Sequence, residues 1–249
     1  MTEEHLPPSQ LGTKQYWDQA YTLESQNFNE DPTNEGQVWF SESNAESRIL
    51  SFLRRVVPEA RSFLDIGTGN GHLLFEMVEE GSWEGGWFVG VDYSCEAVAL
   101  ARSIAKGRGV MGEEEEEERK GKVGFWVADV MALGDGEEEE WVPEGGFDVC
   151  LDKGTFDAIS LSDERLPDGR RAYEGYAERV VQVMKRGSGL LVVTSCNWTE
   201  EELKRKILAS EVIANEVIEL EYHGRIEYPS FSFGGHKGQA ISSVCFRRK

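Results

Sequence analysis

The 249-residue chain predicts an α/β fold: a single doubly wound sheet of seven strands, mostly parallel, with an antiparallel C-terminal edge and helices on both faces. Three observations carry that expectation. Between Ser62 and Cys196, short apolar runs alternate with longer helix-like segments, the rhythm of βαβ units. The runs are near-continuously apolar, as strands covered on both faces are. Towards the C-terminus, VIELEYHG and AISSVCFRR alternate apolar with polar residues instead, which suits an antiparallel pair added to a sheet edge.

The elements follow in order. Two helices precede the first strand, near Lys14–Leu23 and Ser43–Val57, separated by a polar segment that holds Val38, Trp39 and Phe40. They form an N-terminal helical extension, residues 1–60, packed on one domain of residues 61–249. The five parallel strands are SFLDIG (62–67), GWFVGVD (86–92), VGFWVADV (123–130), GFDVCLD (146–152) and GLLVVTSC (189–196). Between them, 71–80 carries Leu73, Leu74, Met77 and Val78 at helical spacing, and 94–106 carries Ala97, Val98, Leu100, Ala101 and Ile104. Further helices are expected at Tyr173–Lys185 and Glu200–Leu208. Thr199 ahead of Glu200, Glu201 and Glu202 reads as an N-cap with acids in the first turn, where the helix dipole favours them.

Composition narrows the function classes. The formal charge is −20, with dense acidic blocks at Glu113–Glu118 and at Asp135 and Glu137–Glu140, inside insertions at about 108–122 and 134–145. Like charges packed this closely stay solvated, so both insertions read as surface loops. Nucleic-acid binding needs Lys and Arg facing phosphates, so no nucleic-acid ligand is expected and a basic protein is the better partner. The four cysteines show no C-x-x-C spacing, which fits reduced thiols in a cytosolic or nuclear compartment, and a cytoplasmic protein is expected. Neither the first ten residues, MTEEHLPPSQ, nor any apolar run suggests a targeting segment or a membrane span. The four histidines lack ligand spacing, so no metal is expected, and a monomer is.

Chemistry is concentrated where strands end. The first strand closes in DIGTGNG (65–71), whose glycines let backbone approach a ligand and aim amides at it. A glycine loop alone leaves three readings open: a dinucleotide site, an S-adenosylmethionine site, or a tight turn. The dinucleotide fingerprint G-x-G-x-x-G fails because position 72 is His. Asp92 closes the second strand, where a carboxylate can accept hydrogen bonds from both ribose hydroxyls, although a turn acid followed by Tyr93-Ser94 is also a cap. Asp129 closes the third, within reach of an adenine edge. Acids at three neighbouring strand ends surround one crevice, the edge where such sheets bind ligands. Asp152 at the end of the fourth strand is expected to project into that crevice, close to where the sulfonium methyl of S-adenosylmethionine would sit, the alternative being a pair with Lys153 or a cap for a helix starting near Thr155.

These motifs resemble known families. The Asp65-x-Gly67-x-Gly69-x-Gly71 spacing resembles the first motif of class I S-adenosylmethionine-dependent methyltransferases, which implies a Rossmann-like, seven-β-strand fold. The run LDKGTFDAI (151–159), TSCNWTEEEL (194–203) and YPSFSFGG (228–235) resemble a narrower group, the elongation factor 1-alpha lysine methyltransferases, over Trp17 to Phe246. The acidic insertion after the second helix of the domain and the segment 135–144 depart from that pattern. The resemblance implies a protein-lysine N-methyltransferase with elongation factor 1-alpha as substrate and S-adenosylmethionine as cofactor. Its expected cofactor-binding residues are Asp65, Gly67, Thr68, Gly69, Gly71, Asp92, Tyr93, Asp129, Val130 and Asp152. Asp152, Trp39 and Tyr228 are the expected catalytic group, with Phe40, Phe156, Phe231 and Phe233 as further aromatic walls. Asp152 is expected to orient the incoming ammonium rather than act as a base. Two rivals stand beside this reading: a methyltransferase for another protein or a small molecule, and a non-catalytic docking module for a basic partner.

Overall fold

The computed structural model describes residues 5–111, 121–134, 139–208, 220–233 and 236–249, with the backbone alone for 230–233, 236 and 237. Its strands are β1 (Ser62–Ile66), β2 (Trp87–Asp92), β3 (Val123–Val127), β4 (Val149–Lys153), β5 (Leu190–Ser195), β6 (Leu220–Ile226), β7 (Ser230–Phe233), β8 (His236–Gln239) and β9 (Ser242–Arg248). Seven of them form one sheet in the order β3-β2-β1-β4-β5-β9-β6. The first five are parallel, and β9 runs antiparallel between β5 and β6. The expected sheet and its antiparallel edge are both present. The hairpin β7–β8 inside the segment joining β6 to β9 was not read from the sequence.

Two apolar clusters sandwich the sheet. On one face Phe63, Val149, Leu151 and Val192 meet α2 (Ala45–Val56), α3 (His72–Glu80) and α4 (Cys95–Arg108) through Ile49, Leu53, Leu74 and Ile104. On the other, Leu64, Ile66, Cys150 and Val193 meet α5 (Thr155–Ser160), α6 (Tyr176–Val180) and α7 (Glu200–Leu208) through Phe156, Tyr176, Val180, Leu203 and Ile207. Each fully buried side chain of this size contributes roughly 1.5–3 kcal/mol. The N-terminal helix α1 (Lys14–Glu30) packs on α4 and sends Tyr21 into the first cluster. It outruns the expected Leu23 because nothing breaks the helix before Pro32.

Other boundaries differ for identifiable reasons. β3 stops at Val127, opposite Asp92 at the end of β2, so the strand has no partner through Val130. Asp129 instead caps a single 3₁₀ turn, Val130–Ala132, accepting from the Met131 amide at 2.9 Å. The helix expected over Tyr173–Lys185 is α-helical over Tyr176–Val180, after a 3₁₀ turn at Ala172–Gly175. Beyond it, Arg248 Nη1 draws off the Val181 and Met184 carbonyls, while Val181, Val183 and Met184 are buried in the core. Thr199 does cap α7: its Oγ1 accepts from Glu202 N, and the Glu202 carboxylate accepts from Thr199 N at 2.9 Å, a reciprocal capping box. Residues 112–120 of the first acidic insertion and 135–138 of the second lie outside the described residues. At the second one's far end, Glu139 and Glu140 accept from the indoles of Trp141 and Trp126.

Candidate active site

Past β1 the chain turns through Gly67, Thr68, Gly69, Asn70 and Gly71 into α3, with φ of +66° at Gly67 and +58° at Gly69. Positive φ suits glycine, and lack of space reinforces it. A Cβ on Gly67 would stand 2.0 Å from Thr155 Oγ1, and one on Gly69 2.4 Å from the Tyr21 hydroxyl. The glycines therefore seat neighbouring protein groups as well as a loop. Asp65 is buried below the turn and accepts from Thr68 Oγ1 at 2.8 Å; burial pushes its carboxyl up to about 7. Asp92 ties two loops together, Oδ2 accepting from Gly69 N at 3.0 Å and Oδ1 from Ser94 N at 2.9 Å, and burial raises it to about 6.

At the carboxyl edge of β1 to β5 lies one cavity of about 290 Å³. It lies where the strand order reverses about β1, the position at which open α/β sheets bind ligands. At the β2 and β3 ends its wall is Val91, Asp92, Tyr93, Ala128, Asp129, Val130 and Met131; at the β4 and β5 ends it is Lys153, Gly154, Thr155, Asp157, Cys196 and Asn197. The N-terminal segment contributes Leu11, Lys14, Trp17, Tyr21, Trp39 and Phe40. Trp17 and Trp39 meet edge to face, ring centroids 5.6 Å apart. Lys153 Nζ donates to the Trp39 carbonyl at 3.3 Å and lies 3.5 Å from Glu46 Oε1, whose other oxygen bonds His72 Nδ1 at 2.7 Å. That contact holds the His72 imidazole above its ordinary value.

Of the sequence-predicted residues, the structure brings Trp39, Phe40, Gly67, Asp92, Tyr93, Asp129 and Val130 to this cavity. Asp65, Thr68, Gly69 and Gly71 lie in the turn behind it. Two expectations need correction. Asp152 does not project into the crevice: it is 1% exposed, and its oxygens accept from Thr155 N at 2.9 Å, Phe156 N at 2.9 and 3.1 Å, and the Tyr176 hydroxyl at 2.6 Å. It caps α5, and burial raises it to about 7. Tyr228 is a core residue, its hydroxyl 2.7 Å from Ser243 Oγ and its ring under the Arg48 guanidinium. Phe156 is likewise fully buried, and the side chains of Phe231 and Phe233 lie outside the described residues. Sequence reasoning missed Lys14, Trp17, Tyr21, Lys153, Asp157 and Asn197. The signal for the first three was present, since Lys14, Trp17 and Tyr21 are spaced i, i+3, i+7 on one face of a mostly polar helix.

The donor set suits an adenosyl sulfonium. Asp92 is nearly fully buried yet borders the cavity, and each of its oxygens keeps a lone pair for a hydroxyl. Val91, Val130, Met131, Ile159 and Leu161 supply apolar wall, and the lining carboxylates Asp92, Asp129, Asp157 and Glu164 suit positive charge.

Comparison with known proteins agrees with this geometry. A family model described as a methyltransferase domain matches residues 59–235. The chain is 39% identical over 246 residues to protein-lysine N-methyltransferase EFM4 of Saccharomyces cerevisiae, covering 97% of this chain and 96% of that protein. It is 40% identical over 254 residues to efm4 of Schizosaccharomyces pombe, covering 97% and 95%. It is 34% identical over 246 residues to EEF1A lysine methyltransferase 2 of Homo sapiens, covering 99% and 90%. Among solved structures, magnesium protoporphyrin IX methyltransferase from Synechocystis, with bound S-adenosylmethionine, shares the fold at TM-score 0.51 and 17% identity, covering 92% of this chain and 97% of that one. Full-length similarity and a matching domain model together establish that the chain belongs to the S-adenosylmethionine-dependent protein-lysine N-methyltransferase family that includes EFM4.

Proposed function

We propose that this enzyme methylates a lysine of elongation factor 1-alpha, with the cofactor in the cavity at the sheet's carboxyl edge. The substrate assignment is supported by the names of the human, mouse and zebrafish relatives, each called EEF1A lysine methyltransferase 2, and by a surface of formal charge −20 suited to a basic partner. The observation that carries the site is continuity: Asp92 and Val130 at the β2 and β3 ends line the same cavity as Trp39 of the N-terminal segment and Asn197 after β5. In this reading Asp92 accepts the ribose hydroxyls, Tyr93, Asp129 and Val130 border the adenine, and Gly67 with Lys153 borders the methionine portion. Asp65, Thr68, Gly69 and Gly71 shape the turn. Residues 1–60 act as an extension that closes the site through Trp17, Tyr21 and Trp39. The protein acts as a monomer in the cytoplasm, a placement consistent with its four free cysteines.

S-adenosylmethionine supplies an electrophilic methyl on a positively charged sulfur. The lysine must present a neutral amine, and at pH 7 deprotonation costs about 4–5 kcal/mol from a pKa of about 10.4. Trp17, Trp39 and Phe40 strip water from the side chain, which lowers that pKa, while their faces still attract a cation. Holding the amine in line supplies much of the remaining acceleration. The test incubates elongation factor 1-alpha with the protein and labelled S-adenosylmethionine, then maps the modified residue by mass spectrometry. A labelled lysine is expected; cofactor binding by calorimetry without transfer would overturn the substrate assignment.

A further inference from the structure

With Asp152 turned away, the lysine end of the cavity needs another anion, and the run LDKGTFDAI (151–159) provides it. Asp157 is the third residue of α5 and is 5% exposed, yet it borders the cavity. Its Oδ1 accepts from the Ser195 hydroxyl, and its Oδ2 accepts from Cys196 N at 2.8 Å. Ser195 Oγ in turn accepts from Asn197 N at 3.0 Å and Trp198 N at 2.9 Å. One buried carboxylate thus fixes the turn after β5, and that turn puts Cys196 and Asn197 into the cavity wall.

Position separates Asp157 from the other acids of the lining. Asp92 stands at the β2 end, committed to Gly69 and Ser94. Asp129 and Glu164 are exposed. Asp157 is buried at the β4 and β5 end, beside Gly154, against which Phe40 packs. Its oxygens accept from neutral donors alone, the Ser195 hydroxyl and thiol and amide groups of Cys196 and Asn197, so no cation among the described residues offsets its charge there. Burial raises the carboxyl above its ordinary value, an imbalance that an arriving cation relieves.

We propose that Asp157 is the substrate-reading carboxylate: it receives the ammonium of the incoming lysine and aims it down the cavity. This inference rests on the lysine-methyltransferase reading above. Because a carboxylate also raises the pKa of the amine it holds, Asp157 acts in capture and orientation, and its removal weighs on KM more than on kcat.

The experiment compares wild type with Asp157→Asn, which keeps the shape and removes the charge, and with Asp157→Ser as a second neutral variant. Elongation factor 1-alpha is the substrate, alongside a copy carrying methionine in place of the mapped lysine. For either folded neutral variant KM rises about tenfold or more, the equivalent of roughly 1.4 kcal/mol, while the dissociation constant for S-adenosylmethionine stays within about twofold. In the presence of S-adenosylhomocysteine, wild type binds the lysine form more tightly than the methionine form, and the neutral variants lose that preference. Because the cofactor dissociation constant reports an intact cavity wall, loss of the preference at unchanged cofactor affinity reports the missing charge and not a displaced turn. A folded neutral variant that keeps both the wild-type KM and the preference overturns the inference. Wild type that transfers no methyl to elongation factor 1-alpha overturns the substrate assignment instead, so the two failures are distinguishable.

Discussion

Replacing Asp152 with alanine separates a helix cap from a catalytic acid. The carboxylate accepts from Phe156 N and Tyr176 Oη, both buried, and from the partly buried Thr155 N. Two buried donors left unmade cost roughly 1–3 kcal/mol each, so about 2–6 kcal/mol is lost when the side chain is removed. A second effect opposes the first. Burial raises the Asp152 carboxyl from 3.8 to about 7, so the native state holds its proton more tightly than the unfolded chain. A raised acid contributes stability at low pH that declines as pH climbs from about 4 to about 7. Integrating that shift, wild type loses about 2 kcal/mol through this group between about pH 5.5 and about pH 8. The alanine variant carries no such burden, so its deficit relative to wild type is larger at the lower pH by about that amount. Urea denaturation at the two pH values measures it, with slopes compared to exclude a change in the unfolded state. A deficit independent of pH would refute the burial argument. A folded Asp152→Asn variant with normal cofactor affinity but about a hundredfold lower kcat/KM would refute the placement itself.

Other consequences are as direct. Asp92, raised to about 6 by burial, accepts hydroxyls best when ionised, so cofactor affinity falls as pH drops through about 6; calorimetry showing a flat profile from about pH 5 to about pH 8 contradicts this. Tyr228→Phe removes one buried hydroxyl contact to Ser243, lowering stability by about 1 kcal/mol and Tm by about 2–4 °C, with kcat/KM unchanged. A tenfold loss of activity in that variant would restore Tyr228 to the catalytic group. Gly69→Ala places a methyl 2.4 Å from the Tyr21 hydroxyl at φ +58°, and costs about 1–3 kcal/mol in thermal melts. Adding Tyr21→Phe recovers part of that loss; no recovery would mean the strain lies in the backbone alone.

The sheet was legible because strands buried on both faces leave long apolar runs, and the cofactor edge was legible because acids and glycines interrupt those runs at their ends. Which way each acid points was not. Side chains alternate between faces with period two, so direction depends on register between neighbouring strands. In the structure Asp65 pairs with Leu151 while Asp152 pairs with Ile66, which places the two carboxylates on opposite faces. Asp65 joins the face of Phe63 and Leu151; Asp152 joins the face of Tyr176. No feature of the single sequence fixes that one-residue offset. Tyr228 was misread for a similar reason. Its neighbours in sequence, Glu227, Pro229 and Ser230, are not core-forming, but Ser243 and Thr194 are inward-facing residues of β9 and β5, bonded to each other at 2.6 Å, and Tyr228 joins that buried pair.

The same alternation explains why β4 ends in an acid, a base and a glycine. Asp152 and Lys153 fall on opposite faces, so they do not pair with each other as their adjacency suggests. Asp152 caps α5 from the Tyr176 side, while Lys153 reaches Trp39 and Glu46 on the other. Gly154, at φ +100°, turns the chain against the Phe40 ring. Thr155 then donates to the Ile66 carbonyl at 2.7 Å and occupies the space that Gly67 leaves open. Phe156 enters the core, and Asp157 secures the turn after β5. Six consecutive residues thereby join β1, β4, β5 and the N-terminal segment around one cavity, each through a different contact. Asp152 and Phe156 do not line the cavity, so a change at either acts on it through packing alone, and cofactor affinity and substrate KM must be measured separately before a lost activity is assigned to chemistry.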